Sequence, residues 1–265
     1  MSAQPTRMTK HDWSRRVAHL RRAAASGDIA AIRDLGLTLR DGVQDEQGRP
    51  LVRSNSAHAV RLFHRAAQSG DGAAASALAH AYDIGQGVRR NTALAIKWYR
   101  RAVKQGETIA AANMATVYRD QGRLRLAHQW YLRAMHMDDG DAAVDAGYGY
   151  LYGIGVRRDL RSARRILQVA LRSTFITQSG REEALYHLAV AAVDSGKPTR
   201  AIPLLKQANK DGDYPEAASL LAQIKAKIEL TPCRCRRDLY KHLPGHAQCP
   251  QHAANGRSAA SKMKR

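Results

Sequence analysis

Residues 77–106, ALAHAYDIGQGVRRNTALAIKWYRRAVKQG, read as two helices around a glycine-marked turn. A small-residue helix runs to about Tyr82, and Gly85-Gln86-Gly87-Val88 turns the chain. Asn91 then opens a second helix carrying Ala95, Trp98, Tyr99 and Ala102, which Gly106 stops. These four positions fall at i, i+3, i+4 and i+7, one face of a helix with 3.6 residues per turn. The layout returns in Tyr152-Gly153-Ile154-Gly155-Val156-Arg157-Arg158-Asp159, followed by Ala163, Ile166, Leu167 and Ala170, at an offset of 68 residues. That offset is two repeats of about 34 residues, and a fixed offset of this size marks a solenoid of stacked helix pairs.

A shorter motif punctuates the rest: Ser26-Gly27-Asp28, Ser69-Gly70-Asp71, Gln105-Gly106-Glu107, Asp139-Gly140-Asp141, Ser179-Gly180-Arg181 and Asp211-Gly212-Asp213. Each glycine is expected to end a helix in the left-handed conformation, with the acidic residue that stands behind five of the six opening the next helix. Five units follow, each with a helix A and a helix B. A helix over residues 12–25 is expected to cap the array as a lone B helix. The first unit has a long polar loop, roughly 42–56, expected to be its flexible or partner-contacting part. The third unit lacks four turn residues, and Gln121-Gly122 turns the chain alone. Pro198 suits the first turn of the last B helix, whereas Pro203 predicts a kink or a late start. A further helix from Pro215 to about Leu230 closes the stack.

The patterns Tyr82-x-x-Gly85-x-Gly87-Val88-x-x-Asn91, Ala95-x-x-Trp98-Tyr99-x-x-Ala102 and Tyr152-Gly153-x-Gly155-Val156-x-x-Asp159 resemble Sel1-like repeats, relatives of tetratricopeptide repeats. The resemblance covers about residues 26–224 and is strongest in the second and fourth units. It implies an all-α fold, a right-handed α-solenoid of about five helix pairs. It also implies a non-catalytic scaffold or adaptor that binds a protein or peptide partner and assembles complexes. Secreted members pair cysteines within their repeats. The repeats here contain none, which agrees with a reducing compartment and a cytoplasmic protein. Four segments result: a basic N-terminal segment and capping helix (1–25), the solenoid (26–230), a Cys/His segment (231–252) and a disordered basic tail (253–265).

Each repeat alone leaves an apolar stripe uncovered, so stacking supplies the core. Trp98, Tyr99, Trp130 and Tyr131 are therefore expected inside it, with ligand stacking as the other use of such rings. Asn91 and Asp159 are expected to be N-caps. The Gly85/Gly87 and Gly153/Gly155 pairs are expected to accept positive φ.

Net charge is +20, and the ends carry much of it. Residues 1–22 hold six Lys/Arg against one Asp, and residues 225–265 hold ten against two acids. Basic ends attract nucleic acid, anionic lipid or acidic proteins, or serve only solubility. Arg89-Arg90 and Arg157-Arg158 recur at equivalent turn positions, with Arg100-Arg101 and Arg164-Arg165 on the helices behind. This edge is expected to hold a partner, either an acidic peptide or a phosphate backbone, unless it is simply solvated. A nucleic-acid-associated protein is thus the alternative to the peptide-binding scaffold, whose partner lies on the concave helix A surface.

All three cysteines lie in the tail, as Cys233-Arg234-Cys235 and Cys249-Pro250-Gln251-His252, with His242 and His246 between. Cys233, Cys235, Cys249 and His252 offer the four ligands that a structural zinc ion prefers, with His246 as a substitute. The opposing reading is a disordered tail with ordinary thiols. A closed four-ligand site would not be catalytic. No phosphate loop, nucleophile motif or metalloprotease spacing is present, and His80, His128 and His187 are scattered. An enzyme is the weakest of the three readings, and no run of apolar residues reaches the length of a membrane span.

Overall fold

The computed structural model describes residues 9–229. The chain divides into two compact units, Met1–Met137 and Asp138–Arg265. The first holds α1 (Lys10–Ala25), α2 (Ile29–Asp41), the strands β1 (Val43–Gln44) and β2 (Pro50–Val52), α3 (Ser56–Gln68), α4 (Gly72–Ile84), α5 (Thr92–Lys104), α6 (Thr108–Asp120) and α7 (Leu124–Met135). The second holds α8 (Gly140–Tyr152), α9 (Leu160–Ala170), α10 (Gln178–Asp194), a 3-10 turn at Pro198–Arg200, α11 (Ala201–Ala208) and α12 (Pro215–Glu229). Consecutive helices pack as pairs: α2 with α3, α4 with α5 and α6 with α7 in the first unit, and α8 with α9 and α10 with α11 in the second. The even-numbered helices α2 to α10 are the A helices of the repeats, and the odd-numbered helices α3 to α11 are the B helices.

The two kinds of helix bury differently because they have different neighbours. The A helix α4 is small and apolar almost all round and buries Ala74, Ala75, Ala77, Leu78, Ala79 and Ala81. The B helix α5 buries one stripe, Ala95, Tyr99, Ala102 and Val103, and leaves the rest outward. Within a pair the approach is close enough to need glycine. A Cβ on Gly36 of α2 would lie 2.6 Å from the Phe63 ring of α3, and one on Gly147 of α8 would lie 2.7 Å from Leu167 of α9. Phe63 and Leu167 are fully buried, so neither ring nor branch has room to retreat.

The caps follow the sequence. Asn91 Oδ1 accepts from Leu94 N–H at 3.0 Å, and Asp159 accepts from Arg161 N–H at 2.9 Å and from the Ser162 hydroxyl at 2.6 Å. Gly85, Gly87, Gly153 and Gly155 all have φ between 71° and 78°. Pro198 opens the 3-10 turn and α11 starts late, at Ala201. The third repeat turns on Gly122 alone, with φ of 72°.

Two expectations are corrected. Gly140 and Gly180 do not stop helices; they lie inside the first turns of α8 and α10. Asp138 takes the positive φ at that boundary instead, and Asp139 caps α8 by accepting from Ala142 N–H at 2.9 Å. Gly140 is required by contact, since its Cβ would stand 2.5 Å from Ile176 Cβ. The loop expected to be flexible forms the β1/β2 hairpin, antiparallel, with Val43 opposite Val52. Asp45 organises its turn by accepting from Gln47 N–H and Arg49 N–H and pairing with the Arg49 guanidinium at 2.7 Å. Strand β2 packs on α1.

Candidate functional site

The turn arginines occupy matching places, but they are not equally free. Arg90 and Arg158 lie with their Cβ atoms against the helix-ending glycines Gly85 and Gly153. Arg158 Nε donates to the carbonyl of Leu151 at 2.9 Å, and Arg158 Nη2 pairs with Asp194, whose carboxylate is nearly buried. Arg90 lies within electrostatic reach of Asp83. Burial pushes the Asp83 carboxyl above its usual range, Arg90 and His80 pull it back, and Asp120 adds to the rise. Arg158 thus helps to hold its own turn, whereas Arg90 meets Asp83 only at electrostatic range and, among the described residues, forms no ion pair. All four arginines are exposed, and it is the contacts of Arg158 that set it apart. The cause is visible in the helix ends: Asp41, Asp120 and Asp194 are the last residues of α2, α6 and α10, and Asp83 is next to last in α4. The C-terminal edge of the A helices therefore carries carboxylates beside the arginines.

The aromatic pairs split. Tyr99 is fully buried and Tyr131 almost so, whereas Trp98 and Trp130 are only half-buried. The equivalent neighbours Leu62 and Phe63 of α3 and Ile166 and Leu167 of α9 are both buried, so helix periodicity admits both positions to the stripe and the larger indole rings are only partly covered. Trp98 and Trp130 turn outward and each is covered by the arginine three residues on. Arg101 lies 5.4 Å from the Trp98 ring centre and Arg133 lies 5.1 Å from that of Trp130. Trp13 and Arg16 of α1 repeat the arrangement at 5.4 Å. Guanidinium over indole is a favourable contact that keeps the charge at the surface.

In the second unit the A helices bring together rings that the sequence kept apart. His187 is buried between Tyr148, Tyr152 and Tyr186, with ring centres 5.2–5.8 Å away, and Tyr214 meets Tyr186 edge-on at 5.5 Å. His187 Nε2 lies 3.3 Å from Glu183 Oε1, and this contact holds the Glu183 carboxyl below its usual range. Burial pushes the Tyr186 hydroxyl up to about 12 and those of Tyr152 and Tyr214 higher still. These phenols stay neutral at ordinary pH, so the cluster is packing with one polar contact. His80 is in α4 and His128 in α7, and burial pulls the His128 pKa down.

Cys233, Cys235, Cys249 and His252, with His242 and His246, lie outside the described residues, as does the 253–265 tail. Among the described residues no three His, Cys, Asp or Glu side chains converge to hold a metal ion. Among them, too, no helix is long and apolar enough to cross a membrane.

The Sel1 repeat matches three stretches, residues 30–71, 72–107 and 140–173. The chain carries Sel1 repeats. Two of the three stretches hold the paired-glycine turns, and the first covers the unit whose hairpin interrupts the pattern. Among solved structures, the fold matches a Sel1 repeat protein from Oxalobacter formigenes, with 25% identity and a TM-score of 0.65, over 86% of this chain and 91% of that one. It also matches a protective antigen of uropathogenic Escherichia coli strains displaying an SLR fold, with 20% identity and a TM-score of 0.67, over 94% of this chain. This chain spans about half of that antigen's length, 49%. No curated protein matches the chain in sequence. The fold class is therefore the all-α solenoid of Sel1-like helix pairs.

Proposed function

We propose that this Sel1 repeat protein is a non-catalytic scaffold that binds a protein or peptide partner along its A helices. The observation that carries this reading is a ribbon in the first unit that repeat packing leaves uncovered. Counted from each N-cap, Leu37 of α2, His80 of α4 and Thr116 of α6 hold the same position, and all three are half-buried. Arg33, Ser76 and Ala112 match one turn earlier, and Asp83 is one turn later in α4. A row of partly exposed side chains at equal spacing offers a track for an extended or helical segment, the usual service of a solenoid. Sel1 repeats act in protein interaction generally, which supports the same reading. Arg89, Arg90 and Arg157 are the edge residues most open to a partner, with Arg158 shared with its turn.

Capture of partners from native lysate, by wild-type protein and by the Ser76→Arg, Thr116→Arg double variant, tests the ribbon. Proteins held by the first and lost by the second support it; an unchanged set removes it. The alternative, a nucleic-acid-associated protein using the arginine edge and a zinc-binding tail, predicts that nuclease treatment strips the bound material.

A further inference from the structure

Charge is sorted between the two kinds of helix. The B helices α3, α5, α7, α9 and α11 contain twelve Lys/Arg and no Asp or Glu. The A helices α2, α4, α6, α8 and α10 contain nine Asp/Glu and four Arg. Neither helix formation nor solubility asks for this. Helix dipoles favour acids in the first turn of every helix, and solubility is served by mixed signs. Within each unit the sorting makes the outward side of the B helices cationic.

In the first unit this face contains a groove of about 720 Å³ between α3 and α5. Ala93, Ile96 and Trp98 give it an apolar floor, and Lys97, Arg101 and Lys104 line it with charge. Positions 93, 97, 100/101 and 104 follow the helical repeat, so one stripe of α5 faces the groove from end to end. Arg101 is held in place twice, lying on the Trp98 ring and donating through Nη2 to the carbonyl of Gln68 at 3.1 Å. His64 meets Trp98 edge-on from α3, with ring centres 5.5 Å apart. Among the described residues, Lys97, Arg101 and Lys104 form no ion pair. Unpaired cations around a partly enclosed apolar floor are electrostatically incomplete, and an anion carrying an apolar group completes them.

We infer that the α3/α5 groove is a docking site for an acidic peptide segment that sets an apolar side chain among its carboxylates. The apolar side chain sits on Ile96 and Trp98, while carboxylates meet Lys97, Lys104 and the free edge of the Arg101 guanidinium. A single-stranded nucleic acid fits less well. Arg101 covers the indole face on which a base would stack, and the aliphatic floor has no role in phosphate binding. This inference rests on the partner-binding reading above but uses the opposite kind of helix, so the protein offers two chemically distinct faces.

The test uses the full chain and a fluorescein-labelled peptide of interspersed glutamate and leucine, followed by anisotropy. The expected result is saturable binding that weakens with added salt. It should fall by about tenfold or more in Lys97→Glu, Lys104→Glu, a difference of about 1.4 kcal/mol or more. Those two residues are exposed, so the variant keeps its thermal transition. Arg161→Glu, Arg165→Glu on α9 makes the same charge change elsewhere and should leave binding intact. A peptide with serine in place of leucine should bind more weakly. No binding by the wild type, equal loss in both charge variants, or no effect of the serine exchange would overturn the assignment. Tighter binding of oligouridine than of the peptide would overturn it as well. The Ser76→Arg, Thr116→Arg variant should bind the peptide as wild type does, whether or not the A-helix reading holds. Loss there would move the peptide to the A helices.

Discussion

Gly87 rests directly on the backbone of Ser56. A Cβ at Gly87 would lie 2.3 Å from the Ser56 carbonyl carbon and 2.7 Å from Ala57 N. The turn between α4 and α5 is thus seated on the first residues of α3, the B helix of the preceding repeat. Backbone cannot step aside as a side chain can. Gly87→Val therefore combines strain at φ of 72° with overpacking against a fixed chain, a loss of roughly 3 kcal/mol or more. Gly122 has the same φ of 72° but nothing within 4 Å of its would-be Cβ, so Gly122→Ala should lose only about 1 kcal/mol. Urea unfolding of the two variants separates conformation from contact. Equal losses would mean that the Ser56 contact contributes nothing.

Arg157 and Arg158 are adjacent in sequence and should behave oppositely. Arg158→Ala removes an ion-pair partner of Asp194, whose side chain is only 9% exposed, and takes a donor from the carbonyl of Leu151. Taking one ion-pair partner from a nearly buried carboxylate is expected to cost about 1–3 kcal/mol. Arg157→Ala should leave the melting temperature unchanged. If the pair were a purely solvated edge, both substitutions would be silent.

Asp139 caps α8 while partly buried. Burial raises its carboxyl pKa, the bond from Ala142 N–H pulls it down, and Asp141 raises it further. With the folded value above the unfolded one, this group's contribution is fully present below the ordinary carboxylate range. It is lost as pH rises through the folded value. Asparagine keeps an oxygen for Ala142 N–H without the charge. Asp139→Asn should equal or exceed wild-type stability at neutral pH and lose that advantage in acid. Asp139→Ala, with no cap, should be about 1 kcal/mol less stable. Urea midpoints across a pH series check the order; an asparagine variant weaker than wild type at neutral pH contradicts it.

If Cys233, Cys235, Cys249 and His252 bind as their spacing suggests, metal analysis of purified protein should find about one equivalent of zinc. Cys249→Ser should lose it. Wild-type protein without zinc would leave the tail with ordinary thiols.

The repeat architecture was legible because it is written locally. Glycines at fixed offsets, the Asn91 and Asp159 caps and the Ala95-to-Ala102 stripe each act within a few residues, and periodicity carries them along the chain. The hairpin at 43–52 was hidden because two- and three-residue strands leave no alternation to count. Gly140 and Gly180 were misread because a glycine kept for close approach looks the same in sequence as one kept for φ. The site divided in the same way. The arginine pairs were visible as a repeat, yet only tertiary contacts decide that Arg158 belongs to Asp194 while Arg157 faces water.

By itself, the sequence determined that the chain is a stack of helix pairs and where its turns and caps fall. Tertiary structure decided which of two neighbouring aromatic rings is buried, which glycines touch backbone, and which cations are already paired. The physical reason is range: capping and turn preferences are settled by neighbours along the chain. Burial and ion pairing depend on groups tens of residues away, as Arg158 with Asp194 and Gly87 with Ser56 show.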